Sequence, residues 1–381
     1  MEIDPTSSNQ HEFQATIEMQ RFLGPPVPRR EIATRFVYLD DDEPPLVCDV
    51  IVKYYDARER HPSRSEARIY YPDNKVIRVA RPGDVLVFAV RPDGDAAVII
   101  ARAGCSTATQ LLWLFNFDRN QTQRFTAADD ATFKERLTSF DAEVLLDVLG
   151  IEATLSDESD VELVEARFGD AFPSTAEFSA FAREQSDAPD PRDDADACLI
   201  RWWETEYRLF QALERSIVEK RLAVGFSGSE AVEDFISFSL GVQNRRKSRS
   251  GHAFENHLAA IFTARGVAYE RGAVTERKAK PDFLFPSSRA YTDPTFPGSE
   301  LRMLGAKTTS KDRWRQVLTE ADRIPVKHLA SLQPAISEAQ TSEMRALGVQ
   351  LVLPRELHRT YTPAQQGWLW TLTDFILEVG G

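Results

Sequence analysis

Three positions within residues 280–320 carry side chains whose types and order suit the hydrolysis of a phosphodiester. Asp282 follows a proline in Lys280-Pro281-Asp282-Phe283-Leu284-Phe285, where a turn enters an apolar run. Lys307 closes a second apolar run, Leu301-Arg302-Met303-Leu304-Gly305-Ala306-Lys307. Glu320 ends a stretch in which Trp314, Val317, Leu318 and Ala321 fall at i, i+3, i+4, i+7, the spacing of one helix face. A divalent cation lowers the pKa of an attacking water and polarises a phosphoryl group, and a lysine offsets the developing charge. Mg2+ takes oxygen ligands and keeps several waters, so a few carboxylates are enough to hold it.

On a strand, residues two apart face the same side, and the usual acid two residues before such a lysine would share its face. Here that position is Gly305, which has nothing to coordinate with. The second carboxylate must then come from elsewhere. Glu320 is one candidate. Glu255 is the other, at the edge of a helical face formed by Phe254, Leu258, Ile261 and Phe262. Bland readings exist for each residue: Asp282 as a turn cap, Lys307 as an ordinary strand end, Glu320 as a solvated helix acid. The histidines have no partner motif and read as structural or surface residues.

The elements that must position these groups can be drawn from the pattern of the chain. Its 381 residues suffice for about two or three domains, and 42% hydrophobic with 28% charged residues fits soluble domains with real cores. No apolar run approaches the roughly 20 residues of a bilayer span, and the polar N-terminus is no signal peptide, so no membrane is expected. Cys48, Cys105 and Cys198 are far apart and lack metal-ligand spacing, which points to a reducing, cytoplasmic setting without disulfides or zinc. The net charge of −13 conceals an asymmetry: residues 1–197 sum to −17 and residues 198–381 to +4. A mildly basic C-terminal half is compatible with DNA, beside an acidic half that mimics DNA or inhibits, or simply has a different solvated surface.

Residues 1–30, ending in Gly24-Pro25-Pro26-Val27-Pro28, read as a loose arm. From Ala33 to Phe117 the runs Phe36–Leu39, Val50–Val52, Ala67–Tyr71, Val85–Val90 and Ala97–Ile100, punctuated by Pro, Gly and Asp, predict strands. Asp93-Gly94 between two of them predicts a hairpin, and the whole a small all-β barrel or pseudobarrel. Residues 128–185 read as helical, closing an N-terminal domain over 1–185. Ser186–Ala197, acidic and proline-bearing, is the expected linker, and 198–381 the second domain. There, a helix from Leu199 to about Val242 leads to a basic knot, Arg245-Arg246-Lys247-Ser248-Arg249, and then to a helix from His252 to Ala264. Strands at 282–285, 301–306 and 349–353 with helices near 312–324, 334–347 and 363–378 predict an α/β layered domain.

Residues from about 199 to 378 resemble the catalytic domain of EcoRII-type type II restriction endonucleases. The likeness rests on Asn244–Arg249 ahead of Glu255, on Lys280–Ser287, on Leu301–Leu304, on Lys307-Thr308-Thr309 and on Lys311-Asp312-Arg313-Trp314-Arg315-Gln316. Upstream, Ser65–Tyr71 is similar to the effector-DNA-binding pseudobarrel of that family. The resemblance implies a homodimeric, Mg2+-dependent enzyme of the PD-(D/E)XK superfamily that cuts double-stranded DNA at a short CC...GG site, with a cognate DNA methyltransferase as genetic partner. It implies Glu255, Asp282 and Lys307 as the catalytic and metal-binding set, Glu320 as the displaced second acid and Tyr291 as an active-site neighbour. Lys311, Asp312 and Arg313 match the segment that reads C:G pairs; Arg or Lys donates to guanine and Asp accepts from cytosine. Tyr207 and Lys247 match a pocket for flipped bases, and the knot, Arg249 included, is expected to touch phosphate or bases. In the first domain the run Arg58, Arg60, Arg64, Arg68 is the expected DNA-facing surface. The competing reading is a DNA-binding protein that has lost cleavage because Gly305 replaces the acid; a third is a nuclease of loose specificity or one acting on RNA.

Overall fold

Alternating burial along Arg30–Leu39, where Ile32, Thr34, Phe36 and Val37 are covered and Arg35 is not, is the signature of a strand with one face on a core. In the computed structural model the described residues are 11–41, 43–91, 93–114, 117, 158–227, 230–308 and 312–380. The chain divides into two units, Met1–Ala153 with Pro334–Thr341, and Thr154–Gln333 with Ser342–Gly381.

The first unit holds β1 (Glu12–Gln14), α1 (Ile17–Leu23), β2 (Arg30–Leu39), β3 (Leu46–Asp56), β4 (Ala67–Tyr70), α2 (Lys75–Val79), β5 (Val85–Val90), β6 (Ala96–Ala101) and α3 (Ser106–Leu114). The strands form one sheet in the order β1-β4-β3-β2-β6-β5. Every neighbouring pair is antiparallel except β2 and β6, so the sheet is mixed. The hairpin at Asp93-Gly94 joins β5 to β6; Gly94 has φ +91°, a conformation glycine adopts without strain. The arm expected before residue 30 is structured from residue 11 onward. Phe13, Met19 and Leu23 enter the core, Thr16 caps α1, and Tyr54 donates a 2.8 Å hydrogen bond to the Gly24 carbonyl. Its polar residues obscured three apolar ones at core-compatible spacing.

The second unit comprises α4 (Glu158–Phe168), α5 (Thr175–Gln185), α6 (Ala195–Val224), α7 (Ala231–Ala264), β7 (Glu270–Arg271), β8 (Phe283–Phe285), α8 (Ser288–Thr292), β9 (Arg302–Ala306), β10 (Lys327–Ala330), β11 (Val349–Val352), α10 (Arg355–His358), α11 (Pro363–Gln366) and α12 (Leu372–Val379); α9 (Glu338–Ala346) spans the division between units. Its sheet runs β11-β10-β9-β8-β7, parallel on the β9–β10–β11 side and antiparallel on the β7–β8–β9 side. Phe262, Phe283, Phe285 and Phe375 pack in its core, with ring centroids 5.3 Å apart for three of the pairs. A second cluster, including Phe178, Phe181, Leu209 and Leu213, joins α4 and α5 to α6. Helices over 158–185 therefore belong here and not to the N-terminal unit. The rest of the expected helical span, 118–157, lies outside the described residues.

The acidic segment 186–197 lies inside this unit. Its carboxylates cap backbone. Asp194 accepts from Ala197 N at 3.1 Å, and buried Asp196 accepts from Leu372 N at 2.8 Å, Thr373 N at 3.1 Å and Arg355 N at 3.2 Å. The knot 245–249 lies within α7, a single helix over Ala231–Ala264, where the sequence places it between two helices, and the preceding helix ends at Val224 and not near Val242. Among the described residues no helix is long and apolar enough to cross a membrane.

Candidate active site

Strand pairing brings Asp282 and Lys307 together. Phe283 at the start of β8 lies opposite Leu304 near the end of β9, so the residue before β8 and the residue after β9 meet at one end of the pair. Lys307 Nζ donates to Asp282 Oδ2 at 2.8 Å across 25 residues of sequence, and Ala306 N donates to the same oxygen at 2.7 Å. A carboxylate held by an ammonium and a backbone N–H has a fixed direction.

Gly305 lies beneath the next element. The expected helix 312–324 is a 3-10 helix, Asp312–Thr319, with buried Trp314 and Val317 on the sheet. A β-carbon at residue 305 would stand 2.6 Å from Val317 Cγ1, so the face where an acid would project is already filled. Glu320 follows the last residue of that 3-10 helix and so lies on a turn. Ala321 then adopts φ +50°, a left-handed conformation that alanine disfavours. Lys327, buried on β10, donates to the carbonyl oxygens of Glu320 at 2.5 Å and Ala321 at 2.6 Å.

Burial first, and then the charge of Asp282, push the Glu320 acid up to about 7, while Lys307 and Lys327 oppose that rise. Glu320 Oε2 is buried with no hydrogen-bond partner. An orphaned carboxylate oxygen in the field of a second carboxylate is a donor set that a divalent cation would satisfy. Among the described residues no three or more of His, Cys, Asp and Glu converge as a metal site, so such a cation would draw its remaining ligands from water.

The other expected residues are placed as follows. Glu255 on α7 accepts from Arg271 at 2.8 Å, and Arg271 also holds Asn256 at 3.0 Å, so this acid is engaged by β7 and not by Lys307. Tyr291 donates to Glu276 Oε2 at 2.6 Å and accepts from Arg323 N at 3.2 Å; burial and then Glu276 push its phenol up to about 12. Glu276 in turn accepts from Asp322 N at 3.2 Å. Tyr291 thus braces the turn that carries Glu320. Lys311 lies outside the described residues, as do the side chains of Asp312, Arg313 and Lys247.

Arg249 turns inward, which corrects its expected exposure. It is 7% exposed, 3.5 Å from Glu206 and 4.4 Å from the Phe210 ring centroid, because within α7 its position faces α6. Tyr207 is half-buried beside it, 5.7 Å from the Arg249 guanidinium. Glu206 and His257, both fully buried and 3.0 Å apart, complete a buried polar cluster that sequence spacing did not flag; they belong to different helices. In the first unit Arg64 is exposed, whereas Arg68 pairs with Glu66 and with Glu12, the latter at 3.3 Å. Lys327 was missed as well. It sits on a four-residue strand that is buried throughout, where no alternation exists to reveal it.

The core that carries this site has relatives. Residues 210–376 match the family model described as EcoRII C terminal, which contains every residue of the Asp282–Lys307–Glu320 arrangement. The type II restriction enzyme EcoRII of Escherichia coli is 43% identical over 213 residues, covering 55% of this chain and 51% of that protein. The chain thus matches about half the length of this curated relative. Two solved structures also align: metal-depleted Ecl18kI in complex with uncleaved DNA, at 18% identity over 58% of this chain and 83% of its own, with a TM-score of 0.44, and a restriction endonuclease PspGI–substrate DNA complex, at 17% over 55% and 92%, with a TM-score of 0.43.

Proposed function

We propose that this chain is a site-specific endonuclease of the EcoRII type, with a PD-(D/E)XK catalytic unit that cuts double-stranded DNA at a short CC...GG site. The observation that carries the reading is the Lys307–Asp282 ion pair at 2.8 Å, with the Glu320 acid in its field, inside the segment matched to the EcoRII C-terminal family. Asp282 and Glu320 would hold a divalent cation, Mg2+ by its ligand preference. When bound, it supplies charge neutralisation at the phosphoryl group and a more acidic water.

The chain's own residues account for the rest. Asp282, fixed by Ala306 N and Lys307 Nζ, presents its free oxygen in one direction. Lys307 places an ammonium where a scissile phosphate gains negative charge, and donates to a phosphate oxygen or to the attacking water. Water adds to phosphorus and the bond to the 3′ oxygen breaks, which leaves a 5′-phosphate and a 3′-hydroxyl. Lys311, Asp312 and Arg313 follow Lys307 closely enough in sequence to read the flanking C:G pairs. Tyr207 and Lys247 line the pocket for flipped bases in this reading. A homodimer would place one such unit on each strand of a symmetric site. The six-stranded sheet, as a pseudobarrel, would bind a second DNA copy through Arg64 and its neighbours; Arg68 is already neutralised by two carboxylates. A methyltransferase of matching specificity would protect the host DNA.

A plasmid digest with Mg2+ tests the reading. Discrete fragments with CC...GG ends are expected, and none in chelator. Uncut DNA would favour the alternative, a binding protein without cleavage, and a smear would favour a nuclease of loose specificity.

A further inference from the structure

A short left-handed turn decides where the Glu320 carboxylate sits, and Lys327 holds that turn from a neighbouring strand. Glu320 is the residue after a 3-10 helix, and Ala321 at φ +50° is 1% exposed. A non-glycine residue in that conformation persists only when its surroundings over-determine it. Three side chains do so: Lys327, whose Nζ donates to the carbonyls of Glu320 and Ala321 at 2.5 and 2.6 Å, Thr275, whose Oγ1 accepts from Ala321 N at 3.4 Å, and Arg277, which donates to the Thr319 carbonyl at 3.1 Å. The lysine is 6% exposed and spends two donors on backbone oxygens instead of a carboxylate.

We propose that Lys327 is a positioning residue of the candidate site: it clamps the Glu320–Ala321 carbonyls and thereby aims the Glu320 carboxylate at the Asp282–Lys307 pair. The proposal rests on reading Asp282 and Glu320 as the cation-holding pair. Electrostatics and positioning make opposite predictions for its removal. Loss of a positive charge that acts on the Glu320 carboxylate should tighten binding of a cation there. Loss of the clamp should weaken it, because a carboxylate that wanders must be ordered by the ion.

The test is Mn2+ titration of the full chain without DNA, in mildly alkaline buffer, read by the loss of the free-ion resonance. Lys327→Met is expected to weaken Mn2+ binding by about tenfold or more, the range for groups that orient metal ligands. Unchanged or tighter binding by the folded variant overturns the proposal and leaves Lys327 as a core lysine. If Lys327→Met does not fold, the double variant Lys327→Met with Ala321→Gly serves, since glycine adopts the turn unaided but leaves it loose. It too must bind weakly, and wild-type affinity in it overturns the clamp. Asp282→Asn and Glu320→Gln separate the two levels. If either binds as wild type does, the cation pair itself is wrong. If both lose binding while Lys327→Met keeps it, only the role of Lys327 falls.

Discussion

Val317 occupies the space that a side chain at Gly305 would need. The β-carbon of any other residue there would stand 2.6 Å from Val317 Cγ1, well inside van der Waals contact. The glycine two residues before Lys307 is therefore a packing requirement of the 3-10 helix on the strand, and in the proposed site the second acid is Glu320, beyond that helix. Gly305→Ala should destabilise the unit by about 1–3 kcal/mol, the usual cost of overpacking. The measurement is a urea unfolding midpoint. Val317→Ala in the same chain should recover part of the loss, and strict additivity of the two would contradict the contact.

Asp282→Asn and Lys307→Met should each reduce cleavage by roughly a thousandfold or more, as expected when charge stabilisation worth several kcal/mol is removed. The asparagine retains an oxygen to accept from Ala306 N, so its melting temperature should move little. Cleavage at wild-type rates by either variant would remove both residues from the mechanism.

Two buried groups pull the pH dependence of metal-free stability in opposite directions. Glu320 has its acid raised to about 7, so its neutral form is favoured in the fold, and stability from this group is lost as pH rises from the carboxylate range through 7. His328, 2% exposed with its ring 5.3 Å from Trp370 and 5.1 Å from Phe375, is pushed down to about 4 by burial. Its neutral form is the folded one, so stability is lost as pH falls below the ordinary histidine range toward 4. For His328 this amounts to about 3 kcal/mol at the acid limit. The wild-type profile should be flattened by cancellation, and the variants should unmask each limb. Glu320→Gln should become less stable on acidification, and His328→Phe less stable on going from acid to neutral pH. Mg2+ should restore wild-type stability near and above neutrality, with little effect in Glu320→Gln.

Asp196→Ala should cost about 2–4 kcal/mol, the loss of a buried cap that serves several donors at the start of α12 and at Arg355. Hydrogen exchange should show the C-terminal helix released first. An unchanged melting profile would mean that the acidic segment is a linker after all.

How far the chain could be read from its residues differs between elements for definite reasons. β2, β3 and β4 announce themselves because covered and wetter positions alternate along them, β5 and β6 by their apolar runs, and Asp93-Gly94 allows few alternatives to a hairpin. Asp282 and Lys307 were legible because each sits at the end of an apolar run and the strand geometry follows from local pattern. Their meeting was not in the pattern: it needs the antiparallel register of β8 on β9, a matter of which strands pair. Sequence spacing offered Glu320 and Glu255 as candidates for the second acid. Only packing explains why no side chain fits at Gly305, since Val317 lies against it from another element.

Other features were decided wholly by tertiary structure. The acids of 186–197 look like solvated linker charges until Leu372, Thr373 and Arg355 bring their backbone N–H groups to Asp196. Arg249 looks like a DNA contact until α7 turns it onto Phe210 and Glu206. Lys327 looks like a surface lysine until parallel strands on both sides bury it and leave two carbonyls as its partners. A sequence records what each residue can do, through its charge, size and local period. Which long-range partner a charge acquires depends on strand order and helix rotation, and these follow from the packing of the whole unit.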